Sequence, residues 1–556
     1  MRAALIFVTR RESGRAIPLS MLLAGFIALA LFVALWGGWS RPSEPEQTDL
    51  PSTLSLLTDA LDASEQALQH LVERHAPADV REKIVTILNE FEKRQVAEIP
   101  MESYALRQRT RAKELLDTAD VVSQNSQIGA NHQLPFYRKL HAFFLVLSEQ
   151  YPNEKNYLED LYHSYNRLSE LAWGIDDFSA SRAYAQSALD LADQRLKLEI
   201  SPLSSLQWQY AQHNILISIE RKVGDSEAAR RHHLMGLEVA NERVVIGKHE
   251  PLYQLDLVKA YGSFGTFEES QGNFLVAAKY FRSGLEIAHA LFDLDPSNEA
   301  YQQEQALLLN GLGNIEIKQG NLDAAWEYFD EGMALQESLV EQDPESWLHR
   351  RSVALSYNKM GNVARRSGDL EQAYEYYNKS AYIREKLVEA YPDFAELKND
   401  VAASYYRMGL VAWEANLFEK ARDYFGDTLE LYRALHGNTD AGHGPISLCL
   451  LWLGNAEREM GNTTTARTSY EQSLVKTKAL LKQDVGNGPL HRQLVFIYEG
   501  LGKLSSNLDE TGSAIQYYEV ALDELQNMRE RQSMGEGVIS KLEDRIESAL
   551  WEVSQT

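Results

Sequence analysis

Few side chains in this sequence have the spacing of a reactive centre. Zinc-dependent hydrolysis calls for HExxH, phosphate cradling for GxxxxGK[ST] and a nucleophile elbow for GxSxG, and none of these occurs. Gly311-Leu312-Gly313 lacks both the third glycine of a dinucleotide fingerprint and a strand before it. His232 and His233 are adjacent, so they project to different sides of a helix and cannot share a metal at i, i+4 spacing. They are expected as solvated surface residues. His436 and His443 lie in one Gly-rich stretch, HGNTDAGHGP, and offer at most an adventitious metal contact. The single cysteine, Cys449, sits in the apolar run LCLL and is expected as a small buried hydrophobe. The expectation is a protein that is not an enzyme, with no catalytic residue, no metal and no cofactor.

What the sequence offers instead is recognition chemistry. Residues spaced i, i+4, i+7, i+8 fall on one helical stripe. Such stripes read Asn310, Asn314, Ile317, Lys318, then Asn358, Asn362, Arg365, Arg366, then Tyr406, Leu410, Trp413, Glu414, and Leu451, Asn455, Arg458, Glu459. A carboxamide carries a donor and an acceptor, so it bonds a peptide backbone whatever the side chains. Lys318, Arg365, Arg366 and Arg458 are cations suited to carboxylates on a ligand, although cations in a last helical turn also offset the helix dipole. Tyr406, Leu410 and Trp413 make an apolar anchor site beside them. The candidate partner contacts are therefore Asn310, Asn314, Lys318, Asn358, Asn362, Arg365, Arg366, Tyr406, Trp413, Asn455 and Arg458.

An internal repeat positions these stripes. Equivalent turns fall at Asp176, Gly224, Gly272, Gly320, Gly368, Asn416, Gly461 and Asp509, in steps of 48, 48, 48, 48, 48, 45 and 48 residues. Gly or Asn there takes the left-handed conformation that ends a helix. The next residue, Asp225, Asn273, Asn321, Asp369 or Asn462, is placed to N-cap the following helix, with Asp369 and Gln372 forming a capping box. Five residues after each turn comes Ala277, Ala325, Ala373, Ala421, Ala466 or Ala514, and four further on Phe281, Phe329, Tyr377, Phe425, Tyr470 or Tyr518. Seven residues before the turns, Gly265, Gly313, Gly361, Gly409, Gly454 and Gly502 stand inside a helix, where Gly is about 1 kcal/mol worse than Ala. Their recurrence implies close helix contact.

Leu312-Gly313, Gly320-Asn321-Leu322, Ala325, Phe329 and the helix-ending Pro344 resemble the tetratricopeptide repeat, over about residues 157–530. Two features depart from the pattern. The 48-residue step exceeds the usual 34, so each helix should run near 20 residues, and Asp replaces Gly at 176 and 509. The resemblance implies an all-α, right-handed α-solenoid of helix hairpins, whose first helices line a concave groove. It also implies Asn ladders that hold extended peptides.

Ile17–Trp39 is a run of 23 residues without a charge, long enough to span a bilayer as one helix. Arg2, Arg10, Arg11 and Arg15 precede it, which places the N-terminus in the cytoplasm. The expected organisation is a basic segment at 1–16, a transmembrane helix at 17–39 and a Pro-rich linker at 40–52. A helical region with a possible degenerate repeat follows at 53–150, then about eight repeat units at 151–534 and a capping helix at 535–556. The net charge of −25 excludes a general nucleic-acid binder. These features point to a bacterial inner-membrane, single-pass adaptor whose periplasmic repeat domain holds a peptide or protein partner in an envelope complex. The alternatives are a sensor or glycan-binding protein, or the same scaffold facing the cytoplasm.

Overall fold

Among the described residues, every regular element is a helix. The computed structural model describes residues 62–63, 66, 106, 108–116, 119, 129–437, 440–531 and 535–555. The span expected at 17–39 and the linker at 40–52 lie outside them, as does most of the helical region expected at 53–150 up to residue 128. None of the described helices is long and apolar enough to cross a membrane. The chain divides into two compact units, Met1–Asp177 and Phe178–Thr556.

In the first unit, α1 (Ala130–Gln150) packs on α2 (Lys155–Gly174), and Phe136, Leu140, Phe143, Phe144 and Leu147 of α1 are buried. The Arg109 guanidinium pairs with the buried Asp160 of α2. His141 Nδ1 meets Ser164 Oγ at 2.9 Å, and burial lowers its pKa to about 4.

The second unit opens with α3 (Phe178–Lys197) and continues as antiparallel pairs: α4 (Pro202–Val223) with α5 (Ser226–Ile246), α6 (Pro251–Ser270) with α7 (Phe274–Leu294), and α8 (Glu299–Gln319) with α9 (Leu322–Gln342). Next come α10 (Trp347–Ser367) with α11 (Leu370–Ala390), α12 (Ala395–Glu414) with α13 (Phe418–His436), α14 (Asp440–Glu459) with α15 (Thr463–Gln483), and α16 (Gly488–Asn507) with α17 (Thr511–Glu530). The last helix, α18 (Glu536–Ser554), buries Ile539, Leu542, Ile546 and Val553 against α17. This is an all-helical array of repeated helix hairpins.

The turn residues explain the hairpins. Gly224, Gly272, Gly320, Gly368 and Gly461 adopt φ of 78–88°, and Asp176, Asn416 and Asp509 adopt 57–59°. Asp and Asn reach this left-handed conformation because a short polar side chain bonds locally, so the Asp substitutions leave the turns intact. The capping expectation holds in part. Asp225 accepts from Ala228 N–H and Asp369 from Gln372 N–H, both at 2.9 Å. Asn273, Asn321 and Asn462 do not cap. Each donates its side-chain amide to Glu268, Glu316 or Glu457, five residues earlier, at 2.6–2.7 Å. A buried carboxylate needs donors more urgently than an exposed helix start does.

The repeated Ala and aromatic residues form the core, all of them 2% exposed or less. The recurrent helix glycines make room for the rings. A Cβ on Gly313 would lie 2.5 Å from Phe329, and one on Gly361 2.7 Å from Tyr377. The ring of Phe281 is flanked by two such glycines, Gly265 on its partner helix and Gly311 on the next hairpin.

Candidate functional site

The candidate contacts all lie on first helices of the pairs, but the structure gives them different work. At two of the three units whose core aromatic is Tyr, the stripe supplies an acceptor for its hydroxyl. Tyr377 donates to Asn362 Oδ1 at 2.8 Å and Tyr470 to Asn455 Oδ1 at 2.7 Å. Arg458 Nε donates to the Tyr470 hydroxyl at 3.4 Å. Burial raises both phenols, Tyr470 to about 12, while Arg365 and Arg458 pull against it. Each Oδ1 thus gives one of its two lone pairs to a core hydroxyl, and Nδ2 remains a donor for backbone carbonyls.

Asn358 is a correction. It is 2% exposed and does not face a groove. Its carboxamide oxygen turns to the buried Arg384 at 2.8 Å, and that guanidinium also donates to the Asp400 carbonyl at 2.7 Å. A desolvated cation on α11 takes the acceptor that the stripe appeared to present. Tyr406 is half-buried against Phe425, 5.8 Å between ring centroids, and serves packing. Asn310 is half-buried, Lys318 and Arg366 are exposed, and Arg365 pairs with Glu414 of the next first helix.

Asn314 sits beside a residue the sequence did not single out. Lys359 Nζ approaches Asn314 Oδ1 at 3.5 Å and lies 5.1 Å from the centre of the Phe329 ring. Burial holds its pKa down at about 8 against the pull of Glu269, whose own pKa burial raises. The unfolded chain binds this proton more tightly, so stability rises as pH climbs from about 8 to the ordinary lysine value. Lys359→Met is expected to stabilise the fold at pH 7 by about 1–3 kcal/mol. That gain should vanish above pH 10.5, the ordinary lysine value. Urea midpoints at the two pH values check it.

Three candidates do converge. Trp413, Asn455 and Arg458 line a hollow of about 200 Å³ with Trp452, Phe496, Glu499, Lys503 and Arg545. It is built by α12, α14, α16 and α18. The rings of Trp413 and Trp452 meet edge-on at 5.8 Å, and Phe425 stacks beneath Trp452 at 6.0 Å. The Arg545 guanidinium lies 5.6 Å from the Phe496 ring centre. Glu499, 8% exposed, accepts from Lys503 Nζ at 2.8 Å and pairs with Arg545, while Arg458 pairs with Glu459 at 2.8 Å. Glu499 and Lys503 stand three before and one after Gly502, so continuing the stripe by one unit would have found them. Arg545 belongs to the last helix, outside the repeat, and no spacing rule reaches it. A larger hollow of about 690 Å³, lined by Arg433, Glu471, Val475 and Lys476 among others, has mixed charge and no aromatic wall.

The histidines also differ from expectation. His233 is 4% exposed and stacks on Phe264 at 5.2 Å with the rings 7° apart; its Nε2 is buried without a hydrogen-bond partner. His232 Nδ1 lies 3.2 Å from Nδ1 of the buried His213. Burial lowers His213 and His233 to about 4. Neighbouring helices enclose both rings, which adjacency in sequence does not reveal. Cys449 is 1% exposed, and burial pushes its thiol up to about 12. Among the described residues, no group of three or more His, Cys, Asp or Glu is placed to hold a metal.

Residues 352–434 match the family model of the tetratricopeptide repeat. No curated protein matches the sequence. Among solved structures the chain is similar to BtubC from P. vanneervenii at 16% identity, covering 46% of this chain and 92% of that one with a TM-score of 0.37. It is similar to pilF of Pseudomonas aeruginosa at 18% identity, covering 49% and 90%, TM-score 0.31. The apo form of RapI aligns at 9% identity over 72% of this chain and 96% of that one, TM-score 0.46.

Proposed function

We propose that this tetratricopeptide repeat chain is a membrane-anchored adaptor. In this reading, 48-residue units present their first helices to a peptide segment or protein partner, and the chain performs no reaction of its own. A helix at 17–39 tethers it to the bacterial inner membrane, with the basic N-terminus in the cytoplasm and the repeat array in the periplasm, as part of an envelope complex. Repeat scaffolds of this type are suited to protein–protein contact, because stacked hairpins expose one long continuous surface. The observation that carries the reading is the hollow between Trp413, Trp452 and Phe496. Aromatic walls ringed by Arg458, Lys503 and Arg545 have the make-up of a binding hot spot.

A glycan or other small ligand is the weaker reading. Pockets that enclose whole small molecules run about 300–1,000 Å³, whereas this hollow is about 200 Å³, and the larger one of about 690 Å³ has no aromatic wall on which a sugar could stack. The smaller hollow holds one side chain of something larger.

Two measurements test the proposal. A photocrosslinking amino acid at Lys503 should give a discrete adduct in cells, and one at Leu275, an 81% exposed residue on a second helix, should not. Equal labelling at both positions, or none at Lys503, overturns the adaptor reading. Alkaline phosphatase fused after Thr556 should be active, whereas a fluorescent cytoplasmic fusion overturns the orientation.

A further inference from the structure

We infer that the segment this surface receives is acidic and inserts one large apolar side chain between Trp413, Trp452 and Phe496. The inference rests on the adaptor reading and names the chemistry of the partner.

The charge around the hollow is opposite to that of the chain. The whole sequence carries −25, so most of its surface repels an acidic segment and attracts a basic one indiscriminately. At the hollow the balance reverses. Among the described residues, Lys503 and Arg545 share one carboxylate, that of the buried Glu499, which answers one of their two charges. Arg458, with Glu459 on one side and the Tyr470 hydroxyl on the other, is a third cation held in place. Lys503 and Arg545 remain 40% and 49% exposed at the side chain, accessible to an incoming carboxylate. An acidic segment is therefore steered here by repulsion elsewhere and attraction locally, the arrangement that gives register and rate in association.

The floor of the hollow sets the second requirement. Three partly buried rings with Leu451 beneath them leave a space about the size of one apolar side chain. Filling it removes ring surface from water, worth about 1.5–3 kcal/mol for one large residue. Asn455 lines the same hollow, its Oδ1 held by Tyr470, and its carboxamide suits the backbone of the inserted segment.

The test uses the full-length chain in detergent and three fluorescein-labelled 15-residue peptides, read by anisotropy. One is rich in Glu and Asp with a central Phe, one has that Phe replaced by Ala, and one has its acids replaced by Lys. The acidic Phe peptide should bind at least about tenfold more tightly than either control and weaken as salt rises. The double variant Lys503→Glu/Arg545→Glu should lose that peptide at least about tenfold and improve binding of the Lys peptide. Trp452→Ala should abolish the preference for Phe over Ala and keep the preference for acid. Circular dichroism establishes that each variant is folded. Equal binding of acidic and basic peptides, no binding of any peptide, or no effect of the charge reversal overturns the inference. A crosslink from Lys503 alongside such a result would leave the adaptor standing with a partner of other chemistry.

Discussion

Replacing Phe281 with alanine is expected to destabilise the second unit by about 3–5 kcal/mol, the usual range for deleting a fully buried aromatic ring. The ring is 0% exposed and wedged between Gly265 and Gly311, two helices that cannot approach further without moving whole hairpins. The companion variant makes the argument sharper. A Cβ on Gly311 would stand 2.5 Å from the ring, so Gly311→Ala alone should destabilise by about 1–3 kcal/mol through overpacking. In the Phe281→Ala background the obstacle is gone, and the same Gly311→Ala change should stabilise by up to about 1 kcal/mol through helix propensity. The sign of one substitution thus depends on the other. Urea unfolding of the four variants reads the cycle, and a Gly311→Ala effect of the same sign in both backgrounds would refute the wedge.

Acidification should weaken the fold through its buried histidines. His213 and His233 are neutral in the folded chain, with pKa values near 4, whereas the unfolded chain protonates them near 6.5. Between these values the unfolded state holds more protons, so stability falls as pH drops from about 6.5 to 4 and is unaffected by these groups above that window. The effect is on the order of 3 kcal/mol for each ring. His233→Phe isolates one of them, since the phenyl ring keeps the stack on Phe264 and Nε2 has no hydrogen bond to lose. The variant should match the parent at pH 7 within about 1 kcal/mol and exceed it by about 2–3 kcal/mol at pH 4.5. Matching urea midpoints at pH 4.5 would show that His233 is not held neutral.

The hairpin architecture was legible because each of its parts is dictated locally. A left-handed turn, a small residue and a ring at fixed offsets can be read one unit at a time, and Gly320, Ala325 and Phe329 illustrate all three. The site was legible only where the stripe meets nothing else. Trp413, Asn455 and Arg458 fell together, but Asn358 was claimed by the buried Arg384 on the paired helix, and no spacing rule foretells that demand. Asn362 and Asn455 were placed correctly on their helices, but the stripe did not reveal the internal bond each makes, since Tyr in place of Phe at 377 and 470 creates a hydroxyl to satisfy. His233 shows the same limit. Its neighbours Phe264 and Phe267 come from a different hairpin, where adjacency along the chain carries no information.

Two of the carboxylates that hold turn asparagines, Glu268 and Glu316, also reach backwards, as does Glu220 at the equivalent place. Glu220, Glu268 and Glu316 on first helices pair with Arg182, Arg230 and Arg282 on the second helices before them, whereas Ala364 and Ala412 occupy the equivalent places in the next two hairpins. Hairpins of the same shape are thus not interchangeable modules. Shuffling them would strand an acid opposite a methyl group at one junction and orphan a guanidinium at another, so the array carries a lock-and-key order that its geometric regularity conceals.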